Sequence, residues 1–106
     1  MTEQVKIVVT VPTADADALR GAIGEAGAGV VGDYSFCSYS VTGVGRFIPQ
    51  SGANPTIGTV GQPEQVEEER IEVSCDRQDL AAIVAAIRAA HPYEEPAIDA
   101  YPLLAI

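Results

Sequence analysis

The side chains best suited to chemistry in this 106-residue chain are gathered in His91-Pro92-Tyr93-Glu94-Glu95-Pro96, which holds its one histidine, two adjacent carboxylates and a phenol. Imidazole and carboxylate together suit zinc or manganese, so His91, Glu94 and Glu95 are the metal-ligand candidates and a divalent metal is the cofactor to consider. Adjacent glutamates in an extended chain point opposite ways, so only one joins His91 easily. Asp99, Glu72 or a neighbouring subunit would have to complete the set. Acid–base catalysis by His91 with Glu94 is a smaller alternative, because no nucleophile or second base is evident. The reading favoured over both is a rigid turn. Its prolines fix the backbone, His91 caps carbonyls at the end of a helix, and Tyr93 packs.

A second group is Gly43-Val44-Gly45-Arg46. Glycines let backbone N–H groups approach an anion, and Arg46 supplies a cation. The setting lacks the strand–turn–helix of a phosphate loop, so the favoured reading is a bulged strand end with Arg46 paired to Glu67-Glu68-Glu69. That acidic run itself reads as a solvated edge. Phe47 and the turn signal Asn54-Pro55 lie in the same stretch. Gly43, Gly45, Arg46, Phe47, Asn54 and Tyr93 are therefore the candidates for ligand contact, where the joint at 91–96 faces the stretch 43–63.

The elements that must position these groups follow from periodicity. Val5, Ile7, Val9 and Val11 alternate with more polar neighbours, which predicts a strand that Pro12 stops. Thr13 is the expected N-cap of a helix over 14–26, with Leu19, Ile23 and small residues on its apolar face. Gly21 and Gly24 weaken that helix or let it approach the sheet, and Gly27 ends it. Tyr34, Phe36, Cys37, Tyr39 and Val41 predict a second strand. From 43 to 63, five glycines and three prolines replace any period, which predicts a long loop or the end of a projecting hairpin. A third strand over 64–74 begins solvated and ends in the core. Asp76 is the expected cap of a second helix carrying Leu80, Ile83, Val84 and Ile87, which ends near Ala90 because Pro92 forces His91 out of helical geometry. Ile98 to Leu104 form a last strand, and Pro102 places it at a sheet edge.

The order β-α-β-β-α-β predicts one α+β, ferredoxin-like domain over 1–106: a four-stranded antiparallel sheet with both helices on one face. Val8, Tyr34 or Phe36, and Tyr101 or Leu103 are then left on the uncovered face, which predicts self-association; the competing reading is a monomer whose long loop folds back over the sheet. A formal charge of -9 repels phosphate backbones and anionic membranes, so neither nucleic acid nor membrane is an expected partner. The first residues lack a basic n-region and no segment is long and apolar enough to span a bilayer. Cys37 and Cys75 form no C-x-x-C pair. They read as buried free thiols of a cytoplasmic protein, with a disulfide or two-thiolate site left open.

Taken in order, Gly27-Ala28-Gly29-Val30-Val31-Gly32-Asp33-Tyr34, Cys37, Gly43-Val44-Gly45-Arg46-Phe47-Ile48-Pro49, Gly52-Ala53-Asn54-Pro55-Thr56-Ile57-Gly58, Glu69-Arg70-Ile71-Glu72 and the 91–96 hexapeptide resemble one known series. It is that of the PII-like domain inserted in the Nif-three-like family, the dinuclear-metal-centre hexameric proteins, some of which are labelled type 2 GTP cyclohydrolases. The resemblance covers nearly the whole chain. It implies a PII- or CutA-like fold, a homo-oligomer with a trimer favoured, and a ligand or partner-protein role for the long loop. The family's two-metal site and hydrolase activity reside on flanking domains and are not implied here. Ile98 and Ala100 stand where the family often has bulkier residues. The expected function is binding of a small molecule or protein partner, regulatory rather than enzymatic; the alternatives are a divalent-metal-binding protein using His91 and nearby carboxylates, or a purely structural oligomerisation module.

Overall fold

A computed structural model describes residues 3–106. Strand β1 (Gln4–Pro12) is followed by one 3-10 turn and helix α1 (Ala16–Glu25). Strands β2 (Tyr39–Phe47) and β3 (Glu64–Asp76) form a hairpin; a second 3-10 turn, helix α2 (Leu80–Ala90) and strand β4 (Ile98–Pro102) complete the chain. The sheet order is β2-β3-β1-β4 with every neighbouring pair antiparallel. This is the α+β ferredoxin-like arrangement expected from the pattern. Among the described residues, no helix is long and apolar enough to cross a membrane.

The core lies between the sheet and the two helices. Val5, Ile7, Val9 and Val11 of β1 and Ile71, Val73 and Cys75 of β3 meet Leu19 and Ile23 of α1 and Ile83 and Ile87 of α2. Each fully buried aliphatic side chain contributes roughly 1.5–3 kcal/mol, so the alternation in β1 and the helical stripe in α2 define the fold together. Gly27, at φ 102°, ends α1 in the left-handed region, as a C-terminal glycine should.

Four local expectations are corrected. The second strand does not include Tyr34 or Phe36, and it runs on through the Gly43–Phe47 stretch assigned to the loop. Residues 26–38 instead close on themselves: Cys37 N–H donates to the Gly29 carbonyl, Val31 and Tyr34 exchange backbone bonds, and the Phe36 ring lies on Gly24 of α1. Gly24 thus admits a ring from the following loop rather than the sheet. The loop proper spans 48–63. Neither Thr13 nor Asp76 makes a side-chain cap; Thr13 Oγ1 is buried without a hydrogen bond, and Asp76 accepts from Gln4.

Both thiols are free. Cys75 is buried, and burial first, then the charges of Asp79 and Asp76, push its pKa up. Cys37 is partly exposed and precedes β2 instead of lying within a strand.

On the sheet face away from the helices, Val8 is buried, whereas Tyr39 is 67% and Tyr101 43% exposed. Tyr39 and, at the far end, Phe47, not Tyr34 or Phe36, are therefore the aromatic residues that β2 offers on this face.

Candidate functional site

The β2–β3 hairpin carries its ladder past the end of β1. Register places Thr10, Arg70 and Val41 side by side on the open face, then Glu68 beside Gly43, with Gly45 and Phe47 further out. Two loops rise over this floor. The 48–57 segment curls back from the end of β2, and the turn 91–97 arrives from the end of α2. Between them and the strands lies a cavity of about 710 Å³, with Val41, Val44, Phe47, Ile48, Pro49 and Ile57 among its apolar walls. That volume suits a drug-sized or smaller organic molecule.

The turn is rigid for the reason its prolines suggest, but His91 does a different job from the one expected. The ring is buried, 7% exposed, and bonded to the first strand rather than to helix carbonyls. Its Nε2 lies 2.7 Å from the Thr10 carbonyl, and the Tyr93 backbone N–H donates to Nδ1 at 3.1 Å. A nitrogen facing a carbonyl must donate and one receiving an N–H must accept, so the proton sits on Nε2. The imidazole is a clamp between β1 and the turn.

Tyr93 projects from that clamp. Its ring stands edge-on to Phe47, with centroids 6.0 Å apart, and lies 5.2 Å from the His91 ring. Its hydroxyl donates to Glu68 Oε2 at 2.8 Å. Glu68 is only 8% exposed. A Cβ on Gly45 would come within 2.1 Å of Glu68 Oε1, so only glycine lets this carboxyl group lie against β2. Burial first, then the hydrogen bond to Glu68 and that residue's charge, raise the Tyr93 phenol well above its ordinary range.

The covering loop is latched to the turn. The Asn54 backbone N–H donates to the Glu94 carboxylate, at 3.1 and 3.3 Å to its two oxygens, and Thr56 Oγ1 donates to the Pro92 carbonyl at 2.7 Å.

Of the residues singled out from sequence, Gly43, Gly45, Arg46, Phe47, Tyr93, Glu94 and Glu95 line the cavity. Asn54 acts through its backbone as a latch, and His91 sits behind the lining. Arg46 does not pair with the acidic run; Glu69 is instead bonded to Arg20 of α1 at 2.7 Å. That run is not uniformly solvated: Glu67 is exposed, whereas Glu68, on the open face, is buried against Gly45 and beneath Tyr93. Glu68 is the site residue that sequence reading missed: alternation through Ile71 and Val73 sets it on the face away from the helices, and no local signal marks its burial there.

The metal-ligand set fits this geometry poorly. Both His91 nitrogens are engaged and Glu94 holds a backbone N–H. Among the described residues, no three His, Cys, Asp or Glu side chains are grouped so as to hold an ion.

No protein-family model matches the chain. It is 52% identical over 99 residues to the GTP cyclohydrolase 1 type 2 homolog of Mycobacterium tuberculosis, covering 93% of this chain and 26% of that protein. The homolog from Bacillus subtilis is 44% identical over 98 residues, again with 26% of its length covered. The chain thus spans about a quarter of the curated relatives it matches. A Bacillus cereus protein related to NIF3 superposes with a TM-score of 0.84 at 45% identity, over 96% of this chain and 26% of that one. CutA from Synechococcus elongatus superposes with a TM-score of 0.72 at 18% identity, covering 98% of this chain and 80% of that one, a likeness of fold alone. Over nearly its whole length, therefore, the chain matches the PII-like insert domain of Nif-three-like proteins and has the CutA-like fold.

Proposed function

We propose that this is a small cytoplasmic regulatory domain that binds an organic ligand in the cavity beside the β2–β3 hairpin and works as an oligomer, a trimer being the favoured assembly. The observation that carries the ligand half is the cavity itself: about 710 Å³, apolar-walled, with a buried hydrogen-bonded pair on its floor and a loop latched over it. Sites for small molecules have this character, with a few placed polar groups in an apolar enclosure. The cyclohydrolase in the relatives' name concerns proteins about four times as long, and the proposal takes no reaction from it. Binding, not catalysis, is the role assigned to these residues.

Gly43 provides the test. It lines the cavity, and a Cβ built there meets nothing within 4 Å, so Gly43→Phe starts a ring into the space from an uncrowded position. A thermal-shift screen over nucleotides, organic acids, amines and metal salts should find compounds that raise the Tm of the native chain and not of Gly43→Phe, because a ligand stabilises only the state that binds it. No stabilising compound, or equal shifts in both proteins, would remove this reading. The assembly half rests on the uncovered aromatic residues of the sheet face, and light scattering showing a stable monomer at micromolar concentration would remove it.

A further inference from the structure

Glu68 and His91 are the two polar side chains buried among the described residues, and they differ in one respect. The histidine uses both ring nitrogens. Glu68 uses one oxygen. Its Oε2 accepts from Tyr93, while Oε1 makes no hydrogen bond among the described residues. None of the described residues claims this second oxygen, although a carboxylate can accept at both. This oxygen lies against the backbone of Gly45, and both residues belong to the cavity lining. The cavity floor therefore presents, on a largely buried side chain, an acceptor with spare capacity and no donor from the described residues.

The surroundings select among donors. Phe47 and Tyr93 place two aromatic rings beside the carboxylate, a setting that favours a cation with an apolar or aromatic body. The lining carries three carboxylates, Glu68, Glu94 and Glu95, against the guanidinium groups of Arg46 and Arg70. Arg70 is already engaged by Glu72 at 3.3 Å, and Arg46 is exposed on the projecting hairpin. The whole chain, at a formal charge of -9, draws cations towards it and repels anions. An anionic ligand would have to bring its charge against Glu68, Glu94 and Glu95, and like charges repel.

We propose, building on the ligand-binding reading above, that this cavity takes a small organic amine whose protonated nitrogen donates to Glu68 Oε1 while its apolar body fills the space between Phe47, Tyr93 and the 48–57 loop. Gly45 is then a specificity element, because it alone allows the carboxylate to lie where the nitrogen meets it. Tyr93 is a positioning residue, fixing the carboxylate from its other oxygen.

Three probes of similar size separate charge from shape: 2-phenylethylamine, 2-phenylethanol and phenylacetate, each titrated into the full chain by ligand-observed NMR. The amine should bind, the alcohol about tenfold or more weaker, as expected for losing a charged hydrogen bond, and phenylacetate not measurably. Glu68→Gln, which keeps the shape and an acceptor for Tyr93, should abolish the amine's advantage over the alcohol. If Glu68→Gln does not fold by circular dichroism, the ranking of the three probes on the native chain decides alone. Equal binding of alcohol and amine, or preference for phenylacetate, overturns the amine assignment and leaves the cavity reading standing. Absence of binding by all three also overturns it, and the wider screen with Gly43→Phe then decides whether the cavity binds anything.

Discussion

The hydrogen bond between Tyr93 and Glu68 links the turn to the hairpin, and its chemistry makes it measurable. The folded phenol keeps its proton to higher pH than the unfolded one. Its stabilising contribution is therefore complete below about pH 10, the ordinary phenol value, and is lost as pH rises towards the raised folded value. Denaturant titrations across the alkaline range should show stability falling by up to about 1.4 kcal/mol per pH unit from this group, and Tyr93→Phe should remove that component. At neutral pH the same variant leaves a buried carboxyl group without its donor, at a cost of roughly 1–3 kcal/mol. Two glycines make an informative pair. In Gly45→Ala the new methyl lands on a buried carboxylate held by Tyr93, and a loss of about 1–3 kcal/mol is expected. In Gly24→Ala the methyl lands within 2.0 Å of the Phe36 ring, but that ring is more than half exposed and can swing away. The helix gains up to about 1 kcal/mol in propensity, so its Tm should stay near native. His91→Ala removes two backbone hydrogen bonds and a buried ring, and should destabilise the fold by about 2–3 kcal/mol. Elemental analysis of both proteins should return the same metal content; loss of a metal with the histidine would restore the metal-ligand reading.

Among the elements, the hairpin and its covering loop differ from the body of the sheet. β1 pairs along its length with β3 and is mostly buried, whereas β2 is an edge strand whose outer half extends beyond the end of β1. The 48–57 loop is attached to the turn through exposed contacts at Asn54 and Thr56. Such contacts open locally at small cost. Glu94→Ala should therefore speed amide exchange at Asn54 while moving the global unfolding midpoint by less than about 1 kcal/mol. The element pattern was legible where periodicity was strong, as in β1 and in the Leu80, Ile83, Ile87 stripe of α2. It was misread at β2. Tyr34 and Phe36 alternate with serines as a strand would, yet Phe36 turns into positive φ and lays its ring on α1. Gly43 and Gly45 look like loop residues, yet they lie in a ladder whose partner strand supplies the hydrogen bonds.

For the molecule as a whole, the consequence of two helices is a sheet covered on one side. Tyr39 and Tyr101 stand on the other side, which is what self-association would bury. Tyr101 is opposite Lys6 in the register, so Tyr101→Asp adds a charge to this face beside a cation that tolerates it. The variant should keep its fold by circular dichroism and shift the light-scattering mass towards monomer.

The order of elements, the helix-facing core and the rigid joint at 91–96 were determined by the sequence, because each rests on local rules: alternation, helical spacing and the fixed geometry of proline. The chemistry of the joint was not. Tyr93 and Glu68 lie 25 residues apart, and the carboxylate is buried on the face away from the helices because Tyr93 reaches over it and β2 offers a glycine beside it. Which of three successive glutamates is covered depends on strand parity and on a partner strand that the acidic run itself does not encode. Tertiary structure decided that point, and with it placed the pair at the floor of the cavity and the histidine behind it.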